Sequence, residues 1–89
     1  MITSRQIRAA RALLGWTQEI LADKAVVALT ALKRLESDRH AVRDGTREAV
    51  CKALEAHGIV FLSSPQGVGV LLVGSQGEPD EPEAAPFTR

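Results

Sequence analysis

The sequence predicts a small, mainly α protein: a bundle of four to five short helices, followed by a β-hairpin and a tail without regular structure. Three observations lead there. Apolar residues recur at helical spacing up to about residue 57, the pattern then turns β-prone between 59 and 73, and the last dozen residues collect Pro79, Pro82 and Pro86 among acids. Aromatic residues make up only 3% of the chain (Trp16, Phe61 and Phe87), so the core must be built from Leu, Ile, Val and Ala, which favours helices at close distance.

Each element has its own signals. Thr3 and Gln6 form a capping-box pattern that starts a helix near Ser4. Ile7, Ala10, Leu13 and Leu14 give it an apolar stripe, and Gly15 stops it, so the first helix runs over 4–14. Thr17 is a good N-cap for a second helix over 18–25, with Glu19 favourably placed in its first turn and Ile20, Leu21 and Ala25 as its apolar face. Leu29, Leu32 and Leu35 support a third helix over 28–37. Residues 38–45 lack periodicity and read as a loop carrying Arg39, His40 and Arg43. A fourth helix follows over 46–57, with Val50, Ala53 and Leu54 inward, Cys51 as a small buried hydrophobe and His57 near the C-terminal cap. Beyond Gly58, the runs 59–62 and 68–73 flank the turn residues Ser63–Gly67 and predict a hairpin. The expected organisation is a helical domain over 1–62, a hairpin extension over 59–73 and an acidic, Pro-containing tail over 74–89.

At 89 residues the chain allows one domain, which buries only about 60% of the surface that its unfolded chain exposes. Self-association would help to stabilise it. The net charge is zero, but the tail holds Glu78, Asp80, Glu81 and Glu83; residues 1–77 contain ten basic and seven acidic residues, a net of +3. This basic excess is modest, but it belongs to the folded part of the chain. The single cysteine, Cys51, has no internal disulfide partner and points to a reducing compartment. No stretch approaches 18 apolar residues, so no membrane span is expected, and the cytoplasm is the expected location. Enzyme chemistry finds no support. There is no zinc-ligand spacing, His40 and His57 are far apart without a nucleophile motif nearby, and Gly67-Val68-Gly69 suits a hairpin turn rather than a nucleotide loop. No catalytic residue, metal or cofactor is expected.

Two short helices joined by a tight turn meet the geometric need for placing one helix in a major groove. The segment from Arg11 to Glu36 resembles the Cro/CI (XRE) family of bacterial and phage helix-turn-helix repressors. The residues that carry the resemblance are Arg11, Leu14-Gly15-Trp16-Thr17-Gln18, Leu21-Ala22, Ala25, Val27, Thr30, Leu32, Arg34 and Leu35-Glu36, within residues 4–62. The resemblance implies a lambda-repressor-like bundle and a transcriptional regulator that binds double-stranded DNA, as a homodimer on a palindromic operator, on the nucleoid of a bacterium. It implies that Gln18 bonds a phosphate and braces the recognition helix, and that Arg11 and Glu36 form a structural ion pair. It further implies that Ala28, Leu29, Thr30, Lys33 and Arg34 are the exposed, DNA-facing positions of the third helix. Within that row Arg34 matches guanine O6 and N7, Thr30 suits a thymine methyl or a phosphate, and Lys33 suits the DNA backbone. Arg39, His40 and Arg43 are expected at the sugar-phosphate backbone.

The chain departs from that pattern at the turn. Val26 stands where the family usually has Gly, so the turn is either built differently or strained. Ala28 replaces the usual Ser or Thr that opens the third helix, at a cost of about 1 kcal/mol. With Leu29 these residues make an apolar leading edge, which supports a second reading: a helix-turn-helix retooled to bind a regulatory protein partner, as an anti-activator or antitoxin would. The hairpin likewise has two expected roles, pairing two copies of the chain or capping the core against the first and fourth helices.

Overall fold

A computed structural model describes residues 2–38 and 42–74. Within them lie four helices, α1 (Ser4–Leu14), α2 (Gln18–Ala25), α3 (Leu29–Ser37) and α4 (Asp44–Ala56), and two antiparallel strands, β1 (Ile59–Ser64) and β2 (Gly67–Leu72). The fold is mainly helical with a hairpin after the helices, as the periodicity predicts. The tail from residue 75 onward lies outside the described residues, as do Arg39 and His40.

Local chemistry sets the boundaries. The Thr3 hydroxyl accepts from the Gln6 N–H at 3.1 Å, and Gln6 Oε1 accepts from the Thr3 N–H at 2.9 Å, completing the capping box of α1. Gly15 closes α1 in the left-handed region (φ 71°), and its N–H donates to Ala12 O. Thr17 caps α2 by accepting from Ile20 N–H at 3.1 Å. Helix α3 begins at Leu29, with Ala28 as its extended N-cap. Helix α4 begins two residues earlier than its apolar pattern suggests. Arg43 is the N-cap, so Asp44 and Gly45 are helical rather than loop, and the Asp44 carboxylate sits in the first turn, where the helix dipole favours it. The C-cap is His57, whose Nδ1 lies 2.8 Å from Ala53 O.

The core is formed by Ile7 and Ala10 of α1, Leu21, Ala22 and Ala25 of α2, Leu32 and Leu35 of α3, Val50, Ala53 and Leu54 of α4, and Ile59 of β1. Ala22 and Ala25 are small where α2 meets its neighbours, letting the helices approach closely. Two residues assigned to apolar faces by spacing lie outside: Leu13 and Ile20 are exposed, because each sits at the edge of its helix's stripe, where the bundle has no facing element. Trp16, in the turn between α1 and α2, is half-buried; its ring meets the His57 ring edge-on at 4.8 Å, and Lys24 Nζ lies 5.8 Å from its centroid.

The hairpin caps the core. β1 packs on α4 and β2 on α1, with the register Ile59↔Leu72, Phe61↔Val70 and Ser63↔Val68 on the inner face. Ile59 is buried, and Phe61 and Val70 are half-buried against the bundle. Gln6, itself buried, uses Nε2 to donate to Leu62 O (3.0 Å) and Gly69 O (2.9 Å), tying α1 to both strands at one paired position. Gly58 makes the close turn from α4: a Cβ there would meet Val73 O at 3.0 Å, and its φ of 97° suits glycine alone. Among the described residues no helix is long and apolar enough to cross a membrane.

Candidate nucleic-acid interface

Helices α2 and α3 are joined by Val26, Val27 and Ala28, a three-residue turn between two packed helices. Val26 itself takes the left-handed conformation (φ 57°, ψ 50°), and its N–H donates to Asp23 O while Val27 N–H donates to Ala22 O. Of the two constructions open to this turn, the chain therefore uses the strained one. A β-branched residue in this region costs about 1–2 kcal/mol. Val26 recovers none of it by burial, since its side chain is 87% exposed. Val27 turns inward and is half-buried on the core. Ala28 makes no side-chain cap bond, as its identity dictates.

The outer face of α3 differs at one position from the expected row. Leu29 is half-buried against the core, because it continues the inward stripe of Leu32 and Leu35. It does not belong with the exposed residues, and the apolar edge of the turn reduces to Val26 and Ala28. Thr30, Lys33 and Arg34 are exposed, and with Ser37 they follow the i, i+3, i+4, i+7 spacing of one helix face. Among the described residues neither Lys33 nor Arg34 has a hydrogen-bond or ion-pair partner for its side chain. Both cations are thus available to an external group.

The other end of α3 is clamped. Glu36 is buried, and its carboxylate accepts from Arg11 Nε and Nη2, each at 2.9 Å, in a bidentate pair. Gln18 Nε2 adds a third donor to Glu36 Oε1 at 2.9 Å. Arg11 Nη1 also donates to Trp16 O at 3.2 Å, linking the pair to the α1–α2 turn. The expected ion pair is present, and Gln18 makes the bracing half of its expected role. Two further clamps were not foreseen: Ser4 Oγ donates to Leu35 O at 2.6 Å, and Arg8 Nη1 donates to Glu36 O. Their signal lies in the spacing, because Ser4, Arg8 and Arg11 stand at i, i+4 and i+7 on one face of α1.

Arg43 is exposed at the start of α4, across from Arg34. A groove of about 450 Å³ separates them, lined by both arginines and by Val26, Ala28, Ala31 and Val42. Elsewhere, burial pushes the Cys51 thiol up from its ordinary alkaline range, with the Glu55 carboxylate acting in the same direction against Arg47. That keeps it protonated and unreactive at neutral pH. Among the described residues no three His, Cys, Asp or Glu side chains gather where a metal ion would be held. A scan against models of protein families finds no match to this chain, and a search of curated proteins finds none either.

Proposed function

We propose that this chain is a sequence-specific DNA-binding regulator of the Cro/CI helix-turn-helix type, acting in the cytoplasm as a two-fold pair, with α3 entering the major groove. The observation that carries the proposal is the row Thr30, Lys33 and Arg34, exposed and without side-chain partners among the described residues, on the outer face of a helix whose inner end is clamped by Arg11, Gln18 and Glu36. In this role Arg34 reads a base edge and Lys33 and Thr30 hold phosphates. Arg43 extends the contact to the adjoining backbone, with Gln18 fixing the orientation of α3. The regulator works by occupancy: a bound pair blocks or recruits polymerase.

Selection from a pool of random duplexes by gel shift tests this. The proposal requires an enriched palindrome with half-sites about one helical turn apart. Failure to shift any duplex even at low salt would refute it. A second reading keeps one observation of its own: the groove beside Val26, Ala28 and Val42 offers apolar lining flanked by two arginines, which suits an amphipathic, acidic segment of a protein partner. A chain blind to DNA but able to hold such a segment would favour that reading.

A further inference from the structure

The groove between α3 and α4 combines charge with apolar lining. It measures about 450 Å³ and runs between Arg34 and Arg43, the N-cap of α4, with Val26, Ala28, Ala31 and Val42 along it. Its described lining carries two cations and no acid, and neither arginine has a side-chain partner among the described residues. Val26 at its edge is left-handed and almost fully exposed, so nothing in the described fold covers this apolar edge. The groove suits an occupant that is acidic and not wholly polar. Of the other exposed cations, Arg5 borders a smaller hollow with no second charge, and Lys24 lies over the Trp16 ring.

The chain itself holds such a segment. Residues 78–83 carry the acids Glu78, Asp80, Glu81 and Glu83 and no base, and Ala84, Ala85 and Phe87 follow closely. Where this segment starts from is fixed. Val73 N–H donates to Gly58 O at 2.8 Å, so Gly74 lies beside the C-terminal end of α4, whereas the groove lies at its N-terminal end. The 13 residues of α4 span about 20 Å. An extended run stiffened by proline gains about 3.1 Å per residue, so the acids at 80–83 can reach about 19–28 Å from Gly74. Along α4, Arg47 and Lys52 balance Glu48 and Glu55, so repulsion does not close the way. We propose that residues 78–83 of the same chain lie in the groove, with their carboxylates on Arg34 and Arg43. Each exposed ion pair is weak, but the tether makes the contact intramolecular and raises the local concentration of acid. The use of the contact rests on the DNA-binding proposal: carboxylates on Arg34 and Arg43 compete with phosphate, so weakly held duplexes are rejected first.

Paramagnetic relaxation in the full chain, without DNA, tests the contact. Cys51→Ala removes the native thiol, and Ala84→Cys carries a nitroxide next to Glu83. The hairpin tip is the internal reference: β2 carries it roughly 20 Å from Gly74, on the α1 side of the molecule, and residues 59–73 hold no charge. The amides of Ala28, Ala31 and Thr46 are expected to lose intensity while those of Gln66 and Gly67 keep it. Neutralising the acids together (Glu78→Gln, Asp80→Asn, Glu81→Gln and Glu83→Gln) is expected to restore the groove signals, and so is Arg34→Gln with Arg43→Gln. The proposal is overturned by no loss at the groove, by equal losses at groove and hairpin tip, or by a groove loss that survives either neutralisation. It is also overturned if the nitroxide chain quenches the groove signals of an isotope-labelled chain without nitroxide, which would make the occupant a second copy. Because no duplex is present, failure here leaves DNA recognition standing, and a chain that shifts no duplex leaves the tail contact standing.

Discussion

The two ends of α3 are held in opposite ways. At its C-terminal end Ser4, Arg8, Arg11 and Gln18 converge on Leu35 and Glu36, and every hydrogen bond of the buried carboxylate is directed. At its N-terminal end Val26 is strained and bare, and Ala28 caps nothing. The difference separates two jobs within one helix. The clamped end fixes the direction in which α3 projects, and the outer face can then carry unpaired cations without disturbing the fold. Val27 and Leu29 hold this end on the core, whereas Val26 and Ala28 face outward and are free to differ from what helix initiation prefers.

Breaking the clamp gives the largest expected effect. Arg11→Ala leaves the Glu36 carboxylate buried with Gln18 as its remaining side-chain donor, and is expected to cost about 3–5 kcal/mol in urea unfolding. Glu36→Ala is expected to cost less, because Arg11 retains partial access to water, its side chain being 22% exposed. Equal losses would mean that the pair, rather than the stranded buried charge, sets the cost. On the outer face of α3 the order of effects is expected to reverse between stability and the proposed DNA binding. Arg34→Ala is expected to leave stability within about 0.5 kcal/mol but to remove about 1–3 kcal/mol of discrimination at one base position in competition binding. Lys33→Ala is expected to weaken all duplexes alike and to lower the salt slope by about one.

The loose end is expected to respond in the other direction. Ala28→Ser supplies the missing N-cap and is expected to stabilise by about 1 kcal/mol in thermal or urea unfolding. Val26→Gly relieves the left-handed strain but frees the unfolded chain, leaving a net gain of about 0.5–1 kcal/mol. A loss on Val26→Gly would mean that the exposed valine contributes more than it costs. The smallest effect concerns Cys51. Its folded thiol titrates above its unfolded range, so the folded state favours the protonated form. That contribution is complete below the unfolded pKa, near 8.5, and is lost as pH rises through the folded value. Stability should therefore fall slightly into the alkaline range in the wild type and less so in Cys51→Ala, and a thiol reagent at neutral pH should label the native protein slowly.

Much of the fold was legible because its signals are local. Thr3 with Gln6, Gly15 and Thr17 mark helix ends within a few residues of sequence, and those ends lie where the pattern put them. The start of α4 was misread because Asp44 and Gly45 are poor helix formers by type; the dipole favours Asp44 only once the helix exists. Leu29 departs from the expected outer row because one residue step, about 100° of rotation, separates a core stripe from the outer face, and spacing by three leaves that rotation open. The spacing of Ser4, Arg8 and Arg11 puts them on one face of α1, but the element that this face meets depends on how α1 crosses α3, which no local pattern contains. Gln6 shows the same limit: its capping role was visible, whereas its bonds to Leu62 and Gly69 span more than fifty residues.

The claim that α3 reads DNA is tested most directly by following the affinity of the wild-type chain for a selected palindrome and for its scrambled counterpart across a salt series. The account predicts that both affinities fall linearly on a log–log plot, by about 0.9 in slope for each phosphate neutralised. It also predicts that the palindrome stays at least about a thousandfold tighter than the scrambled duplex. Equal affinity for the two duplexes, or no binding of either at low salt, would contradict it.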